Sequence, residues 1–236
     1  MKIGLIAAMD QEARLLIEAI KDLTKINLGH LDFYQGLLGS SPVVLVQSGI
    51  GKVNAAIATS ILISHFQADF IINTGSAGGI GSNLSIGDLV ISDQVAYYDV
   101  DNRVFDYAYG QLPQMPAVYE VKPEFSKLAQ DLGQKLGWHT RSGLVVTGDS
   151  FVASKDQVKQ VKSHFPKALV TEMEGAAVAQ TCYNFDVDYL IIRCLSDTAD
   201  EEASLDFEEF IDQAGKASAR LVIELAEALA KHEDTK

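Results

Sequence analysis

Two rhythms of hydrophobic and polar positions alternate along this chain. Residues 2–8 (KIGLIAA), 70–73, 168–170 and 189–192 are unbroken apolar runs of strand length, the pattern of strands buried on both faces of a sheet. Shorter strands are expected at 26–28, 33–37, 42–47 and 141–146, and a long one at 88–96. Helical spacing appears from Asp10 to about residue 21, and over 53–65, 124–136, 155–164, 176–182 and 206–231. Asp10 reads as an N-cap, and Ser154 with Gln157 makes a capping box. The alternation of strand and helix predicts a three-layer α/β/α fold with a central mixed β-sheet. No linker, repeat or low-complexity stretch divides residues 1–236, so a single domain is expected.

Two stretches break the rhythm. Residues 75–81 (GSAGGIG) read as a glycine-rich turn able to offer backbone N–H groups to a ligand, or as a plain loop. Residues 98–116 are tyrosine-rich and polar, and predict an irregular excursion of the kind that serves a site or an interface.

Acidic residues recur where apolar runs end. Glu12 follows the first run, Glu172 and Glu174 follow the run at 168–170, and Asp197 follows the run at 189–192. An acid in the first turn of a helix is stabilised by the helix dipole, and that reading stays open for Glu12 and Glu174. The functional reading is a ring of carboxylates at one sheet edge, where open α/β sheets place their ligands. Carboxylates in different environments divide acid and base labour, as cleavage of a glycosidic bond requires.

Composition narrows the classes. A formal net charge of −13 disfavours nucleic acid and anionic membrane surfaces as partners. The two cysteines, Cys182 and Cys194, fall within apolar elements and read as buried hydrophobes. No apolar run approaches a membrane span and no signal peptide is recognisable, so a cytoplasmic protein is expected. Residues 48–53 (SGIGKV) fail as a phosphate-binding loop: Val46 stands where the first glycine belongs and Val53 where the metal-binding hydroxyl belongs. None of the five histidines has metal-ligand spacing, and no G-x-S-x-G elbow is present.

The segments AAMDQE (7–12), SGIGK (48–52), TGSAG (74–78), YGQLP (109–113), TGDSF (147–151), EME (172–174) and RCLSD (193–197) occur in one order. Together they resemble the 5′-methylthioadenosine/S-adenosylhomocysteine nucleosidase family, within the nucleoside phosphorylase superfamily, over nearly the whole chain. The resemblance implies a nucleoside phosphorylase-like fold. It also implies hydrolysis of the N-glycosidic bond of 5′-methylthioadenosine, S-adenosylhomocysteine and 5′-deoxyadenosine, releasing adenine, in methionine salvage and the recycling of S-adenosylmethionine by-products. In that reading Asp197 is the general acid toward N7 of adenine. Glu12 is the general base toward water, and Arg193 helps to hold the water. Glu174 accepts the ribose hydroxyls and Met173 packs on the sugar. Ser76, Ala77 and Gly78 lie near the ribose, Phe151 and Val152 take the adenine beside Ser196, and Met9, Ile50 and Phe207 line the ribose and 5′ pocket. Asn102, Phe105 and Pro113 reach the 5′ pocket of a second subunit, which implies a homodimer; Asn102 stands where the family has a smaller or more apolar residue. No cofactor or metal is implied. Three other readings stay open: an aminofutalosine hydrolase, a phosphate-dependent phosphorylase, and a nucleoside-binding protein without chemistry.

Overall fold

The computed structural model describes residues 1–199 and 203–233. In chain order they form β1 (Ile3–Ala7), α1 (Asp10–Ala19), β2 (Lys21–Leu28), β3 (Leu31–Leu38), β4 (Ser41–Gln47), α2 (Lys52–Ser64), β5 (Phe70–Gly79) and β6 (Leu89–Tyr97). A 3₁₀ turn (Arg103–Phe105), β7 (Tyr119–Glu120), α3 (Pro123–Lys135), β8 (Thr140–Thr147), α4 (Lys155–His164), β9 (Ala168–Glu172), α5 (Gly175–Phe185), β10 (Asp188–Asp197) and α6 (Ala203–Glu233) follow. The last helix thus begins before Asp206 and runs past Lys231.

The strands make one mixed sheet in the order β10-β6-β8-β9-β5-β1-β4-β3-β2, with β7 on β6. β10 also pairs with β5, so β5, β10, β6, β8 and β9 close into a ring. α1 packs with α6, and α2 packs with α5. This is the expected three-layer architecture around a central mixed sheet. The apolar runs are buried as their composition demands: Leu5, Ile6, Ile71, Ile72, Leu190 and Ile191 have no exposed surface.

Three local expectations are corrected. Met9, not Asp10, is the N-cap of α1, and the helix stops at Ala19 because Lys21 already enters β2. β2 is longer than residues 26–28; its first residues are exposed and polar, and pairing with β3 holds them in the sheet. Residues 75–79 are strand, the end of β5, rather than a turn: parallel β10 pairs them from Gly75 to Gly78. The stretch from Tyr98 to Pro116 is irregular apart from its 3₁₀ turn, as read from sequence.

β1, β5 and β10 run parallel, with Ala7 and Ile192 both opposite Thr74. Their C-terminal ends therefore share one edge. β9 meets β5 antiparallel with Thr171 opposite Gly78, which brings Glu172 to the same edge.

Candidate active site

Five charged residues are buried among the described residues: Glu12, Glu172, Glu174, Arg193 and Asp197. Charges are rarely buried without a specific reason. Here all five collect at the shared strand edge, and the four carboxylates line one cavity.

Glu12 sits in the first turn of α1, but its carboxylate does not point along the helix axis to solvent. Oε2 accepts the Ala8 and Met9 N–H groups at 3.0 and 3.1 Å. Oε1 accepts the Ser76 N–H at 2.9 Å and the Ser76 hydroxyl at 3.1 Å. The carboxylate thereby ties α1 to β5. It also explains Gly75: a Cβ there would stand 2.6 Å from Oε1. Gly75 of β5 thus makes room for an acid rather than for a turn.

Asp197 is the last residue of β10. The β10–β5 register slips between Leu195 and Asp197, an irregularity of the kind that re-aims a side chain. Its Oδ2 accepts the Ser196 hydroxyl at 2.9 Å, and Oδ1 accepts the Ala199 N–H at 2.8 Å. A Cβ at Gly78 would lie 2.9 Å from Oδ1.

Glu174 occupies the N-cap position of α5, yet its side chain makes no cap hydrogen bond to that helix. It reaches instead to α2, where Oε1 accepts the Gly51 N–H at 2.8 Å. Gly51 stands at φ +100°, a conformation open to glycine, which lets its N–H point at the carboxylate. Glu172 performs the capping: Oε2 accepts the Glu174 and Gly175 N–H groups at 3.0 and 2.7 Å, and Oε1 accepts the Thr147 hydroxyl. Arg193 is 1% exposed. Its guanidinium pairs with Glu172, donates to Asn73 Oδ1 at 2.5 Å and lies 3.7 Å from Glu174 Oε2. Burial, and then the Glu172 charge, push the Glu174 carboxyl up to about 8, while Arg193 and the Gly51 N–H oppose the rise.

The cavity is lined by every catalytic and substrate-binding residue expected from sequence except Arg193: Met9, Ile50, Ser76, Ala77, Gly78, Phe151, Val152, Met173, Ser196 and Phe207 accompany Glu12, Glu174 and Asp197. Arg193 stands behind Glu172 and Glu174, so its direct role is on those carboxylates; its buried Nε–H has no partner among the described residues. The lining also includes Ala8, Ser150, Thr171 and Glu172, which sequence reasoning did not select. Glu172 carried a signal, since two acids flank Met173 at a strand end. Asn102, Phe105 and Pro113 do not line this cavity. Asn102 donates to the Gln111 carbonyl at 2.9 Å, and Phe105 is 70% exposed.

The enclosed space is about 90 Å³, below the roughly 300 Å³ usual for small-molecule sites. A ligand larger than a base must therefore lie partly across the mouth, where Phe151 meets Phe207 edge-on at 5.7 Å beside Ile50. A larger groove of about 990 Å³ runs along α3 and β8, but it holds none of the five buried charges.

The sequence model of the phosphorylase superfamily matches residues 2–227. The chain is 45% identical over 227 residues to a 5′-methylthioadenosine/S-adenosylhomocysteine nucleosidase of Staphylococcus saprophyticus, covering 96% of this chain and all of that one. Its fold is similar to the S-adenosylhomocysteine nucleosidase of Streptococcus pyogenes in complex with 5-methylthiotubericidin, with a TM-score of 0.95, 42% identity and 97% of both chains covered. It is also similar to a futalosine hydrolase of Helicobacter pylori, at a TM-score of 0.92 and 31% identity over 97% of this chain and 98% of that one.

Proposed function

Since the chain belongs to the phosphorylase superfamily, we propose that it is a nucleosidase that hydrolyses the N-glycosidic bond of 5′-methylthioadenosine and S-adenosylhomocysteine, in methionine salvage and in the cytoplasm, with residues 1–236 as one catalytic domain. The observation that carries this reading is the placement of two carboxylates against one strand. Glu12 lies over Gly75 and Asp197 over Gly78. Both carboxylates line the same cavity with Ser76, so one pocket offers an acid for the leaving base and a base for the water.

Asp197 gives its proton to N7 of the leaving adenine, which turns a poor leaving group into a neutral one. Glu12 takes the proton of the attacking water beside Ser76. Arg193, behind the cavity wall, orients Glu172 and Glu174 rather than holding the water itself. Glu174 receives the ribose hydroxyls, and Met173 packs on the sugar. Phe151 stacks on the purine and Val152 meets its edge.

The same charges argue for water over phosphate as the nucleophile. Among the described residues, Glu12, the base of this reading, stands where the nucleophile would enter, and the buried arginine is already paired with Glu172. A phosphate dianion would be repelled. Purified protein is expected to release adenine and free methylthioribose from methylthioadenosine in phosphate-free buffer, with no sugar phosphate when phosphate is added. Release only with phosphate would move the protein to the phosphorylases, and tight binding without release would leave a nucleoside binder.

The enzyme acts as a homodimer in which Asn102, Phe105 and Pro113 of one subunit complete the 5′ pocket of the other. Exposed apolar side chains at the mouth, on α2 and on the long loop support this: Ile50, Val53, Ile57, Val104 and Phe105 are about half exposed or more. Sedimentation velocity is expected to give a particle of twice the chain mass, and Phe105→Asp to raise KM. A monomer with full activity would count against it.

A further inference from the structure

The segment from Ser150 to Val152 forms the purine side of the cavity and yet is thinly held. Among the described residues, the hydrogen bonds flanking it are dense. Gly148 N–H donates to the Glu172 carbonyl at 3.1 Å, Asp149 N–H to Asp99 at 2.9 Å, and Ala153 N–H to Gln157 at 2.9 Å. Between these anchors, one hydrogen bond reaches the main chain: the Tyr98 hydroxyl donates to the Ser150 carbonyl at 2.7 Å. A second cavity of about 280 Å³ lies on the other side, lined by Tyr98, Asp99, Tyr109, Ser150, Val152 and Gln157 among others. Ser150 and Val152 therefore belong to a thin wall with open space on both faces.

Tyr98 is built into place. Its N–H donates to the Thr147 carbonyl at 2.9 Å, fixing it beside the end of β8. Its carbonyl accepts the Tyr109 hydroxyl at 3.0 Å, and Tyr109 stacks on His164 at 3.7 Å. Its ring lies flat against Gly148, where a Cβ would stand 2.5 Å from the ring carbon bearing the hydroxyl. Gly148 is thus the seat of the ring, and the hydroxyl is the strut that reaches past it.

We propose that Tyr98 is a positioning residue for the purine subsite: its hydroxyl sets the height of the 150–152 wall, and so the place of Phe151 and Val152 against the base. This rests on the reading that Phe151 and Val152 take the purine. The strut acts on the base and not on the ribose or 5′ group, whose partners Glu174 and Met9 are held at the starts of α2 and α1.

Tyr98→Phe removes the hydroxyl and nothing else. It is expected to weaken adenine binding by about 3–10-fold, the range for one lost hydrogen bond, while methylthioribose, which has no base, binds as to the wild type. Amide hydrogen exchange across residues 149–153 of the free protein should quicken. Gly148→Ala, which pushes the ring off its seat, should give the same selective loss, and the double variant should add little to either. Unchanged adenine affinity and exchange in Tyr98→Phe would overturn the role. Equal weakening of both ligands would do so too, by showing a general lesion. If the wild type itself fails to bind adenine, the purine reading falls first and the strut's function with it; faster exchange in the variant would then mark a structural tie alone.

Discussion

Asp197→Asn is expected to lose about 10²–10⁴-fold in the rate of adenine release, the usual worth of a placed general acid, while adenine and substrate analogues still bind with measurable affinity. The substitution is close to isosteric. The Asp197 carboxyl is buried, 1% exposed, and held by the Ser196 hydroxyl and the Ala199 N–H. An amide keeps an oxygen for the Ala199 N–H, and the Ser196 hydroxyl can turn to meet either end. What it cannot do is hand a proton to N7. The loss should therefore fall on kcat, with the dissociation constant from calorimetry little changed. Near-normal turnover in this variant would remove Asp197 from the chemistry. A loss of binding as large as the loss of rate would make it a binding residue instead.

Arg193→Met is expected to cost about 3–5 kcal/mol of stability, the range for breaking a buried ion pair from one side. For a chain of this size that lowers the melting temperature by roughly 6–20 °C. The penalty arises less from the lost pairing than from what remains: Glu172 and Glu174 stay buried side by side with their cation gone. Arg193 is also the group that restrains the upward push on the Glu174 carboxyl, so its removal raises that carboxyl further. Adding Glu172→Gln to Arg193→Met should recover part of the stability, because it removes the carboxylate that Arg193 pairs with directly. Thermal unfolding of the single and double variants checks both statements. A melting point within about 2 °C of wild type for Arg193→Met would mean the buried charges are relieved some other way, since even the lower cost should move it further.

The acids at strand ends were legible because their positions follow from local pattern. An unbroken apolar run such as residues 2–8 must be a buried strand, and a polar residue just beyond it must lie at the sheet edge. Repeating that argument for Glu12, Glu174 and Asp197 locates the site without any long-range contact. The glycine-rich stretch was misread for a related reason. Gly75, Gly78 and Gly79 carry no hydrophobic signal, and the pairings that make them strand come from β10 and β9, about ninety or more residues away along the chain. β2 was shortened in the same way, because Lys21 and Asp22 have no apolar face and owe their place to the sheet.

The sequence by itself determined the layer architecture, the edge at which chemistry collects and the residue types available there. Hydrophobic period and chain direction are local properties, and they suffice for that much. Only the tertiary structure decided how each charge is used. Glu12 and Glu174 both stand at helix starts, where a dipole would have explained either. Packing turns one onto Ser76 of β5 and the other onto Gly51 of α2, while Glu172 takes the capping work and Arg193 disappears behind it. A carboxylate's role depends on which donors and which opposite charge come within a few ångströms, and those neighbours are set by the closing of the sheet rather than by position along the chain.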